Sequence, residues 1–215
     1  MLFLDVTGRA PDFFAAVRQR GAIMEIILAS ASPRRRELLS RLYPDFRVVV
    51  ADIDESLDGD IPPRERVERL SVMKGRAVLD GRSSCRDAVI ISSDTLVEID
   101  GEPLGKPTSE EDAVRMLSRL SGREHNVHTG VAVHYRGRVL SGADTTHVYF
   151  RALSAEEIIE YVEGGEPMDK AGSYGIQGEG GKFVLKIDGD FDTVMGLSVK
   201  LVKRLVDLII GDFDE

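Results

Sequence analysis

IILASASPRRRELL, residues 26–39, is an apolar run that ends in two serines and continues with a proline, three arginines and helical spacing. Ser32 is a good helix N-cap, and Pro33 suits the first helical position because its missing N–H would have no intrahelical partner there. The stretch therefore predicts a strand, a tight turn and a helix. The free N–H groups of that helix and the arginines beside them predict an anion site, such as one for a phosphate chain. A solvated first helical turn without a ligand is the alternative.

Composition restricts the class of protein. The 215-residue chain, with 42% hydrophobic and 30% charged residues, is typical of a globular protein with one sizeable domain or two small lobes. Its formal net charge of −9 argues against a nucleic-acid or membrane-surface binder, because neither polyanion would attract it. No apolar run approaches the ~20 residues of a membrane span, and no signal peptide is recognisable. The single cysteine, Cys85, excludes an intrachain disulfide, so we expect a cytoplasmic protein.

The remaining pattern alternates strands and helices of an α/β domain. Met24 immediately precedes the first strand, and residues 1–23 carry no recognisable chemistry, so we interpret them as an N-terminal extension of a domain spanning residues 24–215. Strands are predicted over residues 46–50, 88–95, 127–135, 139–149 and 182–187, and helices over residues 63–79, from 108 to 120, from 154 to 163, and at the C-terminus.

Three charged residues are candidates for chemistry. Asp94 ends a buried-strand pattern, and ligands bind at the carboxyl ends of strands in open α/β sheets, so it is the first catalytic candidate; a turn residue is the alternative. Lys74 falls on the apolar arc of the helix predicted over residues 63–79, where it either snorkels outward or points into a cleft. Taken alone, the pattern favours snorkelling. The acidic loop around Glu55 likewise reads as a solvated turn by itself.

A glycine-rich stretch near the C-terminus is the last candidate. Residues 171–181 hold five of the 21 glycines, which lets the backbone approach a ligand closely. Gln177 in this stretch offers the donor and acceptor pair that can read a base edge. A flexible linker is the alternative, which Tyr174 and Ile176 disfavour. The four histidines form no HxH or HxxxH pair, so we predict no metal site on them.

Eight segments, in this order, resemble the Maf family of nucleoside triphosphate pyrophosphatases. They are ASASPRR (29–35), DIDE (52–55), Lys74, SDT (93–95), GKP (105–107), LSGREH (120–125), GEPMDKAG (165–172) and YGIQG (174–178). The resemblance implies an elongated, two-lobed α/β fold with a mixed sheet and a deep central cleft, similar to that of inosine triphosphate pyrophosphatases. The resemblance departs at Gly75, where alanine is common, and a glycine there costs a helix roughly 0.5–1 kcal/mol.

The resemblance also implies a reaction and its residues. Such enzymes cut a nucleoside triphosphate to its monophosphate and pyrophosphate with a divalent metal, here Mg²⁺ or Mn²⁺ held by Glu55 and Asp94. Asp94 matches the family's proton acceptor. The implied catalytic set is Ser32, Arg35, Glu55, Lys74, Asp94 and Lys106, and the implied substrate-binding set is Ser30, Arg34, Thr95 and Gln177.

The implied substrate follows from three of these positions. Arg34, Thr95 and Gln177 together resemble the dTTP and UTP pyrophosphatases, with a housecleaning role in the nucleotide pool. The alternatives are a pyrophosphatase of the 7-methyl-GTP or ITP type, and a nucleotide-binding regulator of cell division with little turnover. The sequence leaves open whether the chain forms a homodimer.

Removing the extension tests the predicted domain boundary. We expect a chain that begins at Met24 to show the same midpoint of urea unfolding and the same pyrophosphate release from dTTP as the full chain. The reason is that no predicted core or site residue lies in residues 1–23. Loss of cooperative unfolding on this truncation would contradict the boundary.

Overall fold

The computed structural model describes residues 18–19, 22–50, 52–81, 85 and 87–211. The strands are β1 (Arg18–Gln19), β2 (Ala22–Ile23), β3 (Ile26–Leu28), β4 (Arg47–Val48), β5 (Val89–Ile99), β6 (Glu102–Leu104), β7 (Glu124–Tyr135), β8 (Arg138–Phe150) and β9 (Val184–Asp188). The helices are α1 (Pro33–Ser40), α2 (Pro63–Gly81), α3 (Glu110–Leu120), α4 (Ala155–Glu163), α5 (Phe191–Met195) and α6 (Val199–Gly211). Three short 3₁₀ segments cover Glu166–Asp169, Ala171–Ser173 and Glu179–Phe183.

Seven strands form one mixed sheet. Their order is β4-β3-β5-β7-β8-β9, and β6 pairs with β5. Strand β3 runs parallel to both β4 and β5, and the other pairs are antiparallel. This confirms the expected α/β class and the mixed sheet. Among the described residues, strands β1 and β2 pair with each other alone, and both lie within the predicted extension, whose other residues lie outside the described ones.

The long strand β5 contributes side chains from one of its faces to two apolar cores. Successive side chains of a strand point to opposite faces. On one face of β5, Val89 and Ile91 belong to a core that α6 and α1 cover, whereas Val97 and Ile99 belong to a second core under α3 and α4. Ser93 and Thr95 lie between them on the same face, and we call this pair the polar belt. Helix α2 packs on the opposite face of β5 and β7.

The predicted elements are largely confirmed, with three differences that matter. Helix α1 begins as predicted, because Ser32 caps it through the Arg35 backbone N–H and Pro33 is its first residue. The strand predicted over residues 46–50 is shorter, as β4. Helix α3, predicted to begin at residue 108, begins at Glu110, because Ser109 is its N-cap and accepts from Asp112 N.

The third difference concerns Asp94. It was expected at the carboxyl end of its strand, but β5 continues through Val97 to Ile99 because these residues are buried in the second core. Asp94 therefore lies in the middle of an eleven-residue strand. Among the described residues, no helix is long and apolar enough to cross a membrane.

Helix α2 lies close to the sheet at Gly75, which explains the glycine. A Cβ at this position would overlap the buried His134 ring and come within 2.8 Å of Ser92 Oγ. Alanine favours a helix interior by about 1 kcal/mol over glycine, but overpacking a core typically costs about 1–3 kcal/mol. The steric term is the larger one.

We therefore expect Gly75→Ala to lower the free energy of unfolding by about 1–2 kcal/mol, measured by urea denaturation. The matched control is Gly81→Ala at the end of the same helix, where a Cβ would meet nothing within 4 Å. That variant should be as stable as the natural chain or slightly more stable. Equal stability of the two variants would show that the helix does not approach the sheet as described.

Candidate active site

One edge of β5 is open in its middle. Strand β7 pairs with β5 from Ile90 to Glu98 and so occupies the other edge. On the open edge, β3 pairs only with residues 89–91 and β6 only with residues 97–99. Within the described part of the chain, residues 92–96 have no strand partner there. We call this gap the notch, and Asp94 lies at its centre.

Arg35 closes the β3 end of the notch. Its Nε donates to the Gly196 carbonyl at 2.8 Å, and its Nη1 is 3.3 Å from Ser30 Oγ. Ser30 Oγ also accepts from the Ser32 N–H at 3.2 Å, and Ser32 caps the helix that carries Arg35. The serine turn predicted from the sequence therefore holds Arg35 at two points, its backbone N–H through Ser32 and its guanidinium through Ser30.

The Gly196 carbonyl accepts more than one hydrogen bond on this face of the sheet. It accepts from Arg35 Nε and from Ser93 Oγ at 2.9 Å. Gly196 ends α5 with a φ of +108°, a conformation that favours glycine. No motif in the sequence marks Gly196 as part of the site. The sequence pattern can indicate that Gly196 ends a helix. It cannot indicate that the Gly196 carbonyl contacts Arg35, which lies 161 positions away in the chain.

Thr95 has little hydrogen-bonding capacity left. Its hydroxyl lies 3.0 Å from Thr129 Oγ1, and Thr129 itself donates to the Thr193 carbonyl at 2.7 Å. Because Thr129 has a single hydroxyl hydrogen, Thr95 must be the donor of that pair. Arg35 Nη2 donates to Thr95 at 3.3 Å, so one lone pair of the Thr95 oxygen remains. In this arrangement Thr95 can accept from a ligand but not donate to it.

The opposite face of the notch holds an ion-pair triad. Lys74 reaches from α2 and places its Nζ 2.5 Å from Asp94 Oδ1 and 2.9 Å from Glu55 Oε1. The Lys74 and Asp94 side chains are only 17% and 11% exposed, whereas that of Glu55 is 56% exposed. The ammonium points into the site, so the snorkelling orientation favoured by the helical pattern does not occur. Glu55 likewise contacts the site rather than solvent alone.

The charges on the two faces act on each other. Burial holds the pKa of Arg35 below its usual value, and the neighbouring Arg34 lowers it further, whereas Asp94 and Glu55 act to raise it. Arginine nevertheless stays protonated in proteins. The site therefore carries a partly compensated, desolvated cation, which a bound anion would stabilise.

Three further cations lie on or next to the elements that flank the notch: Arg34 and Arg36 on α1, and Lys106 after β6. Lys106 follows β6 and is exposed, and its neighbour Gly105 accepts from Gly172 N at 3.0 Å. The structure does not bring Lys106 into contact with the Asp94 triad. The hydrogen bond from Lys170 holds the pKa of Asp169 below its usual value, and the charge of Arg34 adds to that effect.

Gln177 is exposed on a loop that is packed, not free. The adjacent Ile176 contacts both apolar cores, on the face of β5 that carries the polar belt. The flexible-linker alternative is therefore wrong.

The carboxylates of Glu55 and Asp94 can also be tested as metal ligands. No group of three or more His, Cys, Asp or Glu side chains suited to a metal occurs among the described residues. Carboxylate oxygens suit Mg²⁺ and Mn²⁺, and Mg²⁺ is commonly held by one or two carboxylates together with water and substrate phosphates. The pair fits that second kind of site and not a closed protein cage.

Comparisons with known proteins identify the family of the chain. The Maf-like protein family matches residues 25–209. The dTTP/UTP pyrophosphatase of Bacillus velezensis is 48% identical over 83% of this chain and 93% of its own, and that of Thermococcus onnurineus is 47% identical over 86% and 98%. The solved Ham1 protein of Staphylococcus aureus aligns with 88% of this chain and 98% of its own at a TM-score of 0.48 and 16% identity. By the family match and these relatives, the chain belongs to the Maf family.

Proposed function

We propose that the chain hydrolyses dTTP and UTP to the nucleoside monophosphate and pyrophosphate, and so removes these or modified pyrimidine nucleotides from the nucleotide pool. The observation that carries this proposal is Asp94, a largely buried carboxylate at the centre of the notch that contacts Lys74. A protein that only bound a phosphate chain would gain nothing from a carboxylate facing it. The names of the relatives support the same reaction.

Asp94 is proposed as the general base. Lys74 engages one of its carboxylate oxygens, which leaves the other oxygen for a water molecule. That water attacks the α-phosphorus in line, its proton passes to Asp94, and the bond from the α-phosphorus to the bridging oxygen breaks. The electron pair of that bond leaves with pyrophosphate.

The cations stabilise the charge that develops on the phosphates. Arg35 is fixed by Ser30 and by the Gly196 carbonyl, so little reorganisation is needed when charge builds up beside it. Lys74 and Lys106 would add positive charge along the chain and on the leaving pyrophosphate. The N-terminus of α1, capped by Ser32, offers backbone N–H groups to the same anion.

A divalent cation such as Mg²⁺ or Mn²⁺, held by Glu55 and Asp94, would supply further positive charge to the phosphate oxygens. We include this cation in the proposed mechanism.

The base is proposed to lie against the other face of the notch, near Thr95, Gln177 and Arg34. Thymine and uracil carry an N3–H donor, whereas cytosine has an acceptor at the same position. A Thr95 oxygen with only a lone pair to offer suits the donor and leaves the acceptor unpaired. The Gln177 amide can meet a base carbonyl from the loop opposite.

We also propose that the catalytic domain begins at residue 24. Met24 is buried in the first core, and the family match begins at residue 25.

Replacing the proposed base tests the mechanism. We expect Asp94→Asn to lower kcat with dTTP and UTP by about 10²- to 10⁴-fold, because a general base typically contributes that factor. Pyrophosphate release would be measured from dTTP, UTP, CTP, 7-methyl-GTP and ITP with Mg²⁺ or Mn²⁺. The control Asp80→Asn makes the same change at an exposed residue of α2 and should leave kcat unchanged.

The nucleotides that the natural chain hydrolyses in the same assay distinguish the proposed function from the alternative substrates and from a nucleotide-binding regulator. Turnover confined to 7-methyl-GTP or ITP would overturn the substrate assignment but not the mechanism. Nucleotide binding without turnover would favour the regulator instead. Near-normal turnover by Asp94→Asn would show that another group is the base.

Replacing Thr95 tests the base contact. We expect Thr95→Val to lower the ratio of kcat/KM for UTP to that for CTP by about threefold to tenfold, the value of one hydrogen bond. Thr146→Val is the matched control, because Thr146 is a buried threonine whose hydroxyl bonds Asp190 away from the notch. An unchanged ratio in Thr95→Val would mean that Thr95 does not contact the base.

A further inference from the structure

The glycine loop that carries Gln177 is held by a carboxylate. Glu166 begins the 3₁₀ segment after α4 and is half-buried. Its Oε2 accepts from the backbone N–H of Glu179 at 3.0 Å, and its Oε1 accepts from that of Gly180 at 3.3 Å. Both N–H groups follow Gln177 in the loop.

Tyr161 on α4 holds the other side of the same loop. Its hydroxyl donates to Glu166 Oε1 at 2.8 Å and accepts from the Gly175 N–H at 3.1 Å. The two side chains therefore bind backbone groups before and after Gln177. A six-residue loop, 175–180, is closed around one carboxylate and one phenol.

The glycines of the loop allow this close approach. A Cβ on Gly178 would overlap both carboxylate oxygens of Glu166, and one on Gly180 would lie 2.6 Å from the Tyr161 hydroxyl. From the sequence, these glycines are expected to give a ligand space to approach the backbone. At these two positions the close neighbour is a protein side chain.

The protonation states suit these roles. Burial acts to raise the pKa of Glu166, but the hydrogen bonds from Glu179, Tyr161 and Gly180, with the charge of Lys170, hold it below its usual value overall. Burial raises the pKa of Tyr161. At neutral pH the carboxylate is charged and acts only as an acceptor, and the phenol keeps the proton that it donates.

We propose that Glu166, together with Tyr161, is a positioning residue for pyrimidine recognition: it holds the loop so that Gln177 meets the base. It acts on the substrate through Gln177 and not by contact. The inference deepens the proposed function and rests on the role assigned there to Gln177.

The test is Glu166→Gln in the full-length chain. The amide keeps the size but replaces one acceptor oxygen with an NH₂ group, which must face a backbone N–H or the Tyr161 hydroxyl. We expect KM for UTP and dTTP to rise about tenfold with kcat within about twofold, the cost of one or two hydrogen bonds. Hydrogen exchange at the Gly175, Glu179 and Gly180 amides should become faster. Tyr161→Phe, a milder variant, should shift both measurements in the same direction.

Coupling to Gln177 separates positioning from a general loss of stability. If Glu166 acts through Gln177, adding Glu166→Gln to Gln177→Ala should raise KM by less than twofold beyond Gln177→Ala alone, because effects within one unit are not additive. The matched control is Glu157→Gln. Glu157 also accepts a backbone N–H, from Ser154, and pairs with Arg151. We expect Glu157→Gln to lower the free energy of unfolding without changing KM for UTP or dTTP.

Two outcomes would overturn the inference and they are distinguishable. If Gln177→Ala raises KM but Glu166→Gln changes neither KM nor the exchange of the loop amides, Glu166 does not position the loop and the role of Gln177 stands. If Gln177→Ala leaves KM unchanged, the assigned role of Gln177 is wrong and the inference fails with it, whatever Glu166→Gln does to exchange.

Discussion

The pairing of β5 is the constraint on which the rest of the structure depends. A strand in a buried sheet must place its backbone N–H and C=O groups in hydrogen bonds. Strand β7 pairs with β5 along Ile90 to Glu98, which satisfies one edge of β5 along the whole notch. On the other edge, residues 92–96 have no strand partner in the described part of the chain, so a ligand can approach them there.

Side chains alternate between the two faces of β5, and this places two different groups of polar residues on opposite sides of the site. Asp94 and Thr95 are consecutive, so they face opposite sides of the sheet. Asp94 meets Lys74 and Glu55 on the α2 side, whereas Thr95 meets Arg35 on the side of the two cores. Only at an open edge can one molecule contact both sides. The notch thus allows one substrate to contact the Asp94 triad on one side and Thr95 with Arg35 on the other.

The supporting residues explain how single side chains are held in place. The Gly196 carbonyl accepts from Arg35 and Ser93, and Glu166 and Tyr161 bind the backbone around Gln177. Each of these contacts satisfies a polar group that burial would otherwise penalise. The glycine content of residues 171–181 follows in part from the space that Glu166 and Tyr161 take up.

Local physics in the sequence was enough to determine the α1 turn, the long strands and helices, the α/β class and the motifs of the family. Ser32 caps α1 and Pro33 starts it because both effects depend on neighbouring residues alone. The orientation of Lys74, the continuation of β5 beyond Asp94 and the meeting of Arg35 with Gly196 were decided only by the tertiary structure. Each depends on which distant element packs alongside, and sequence periodicity carries no information about that.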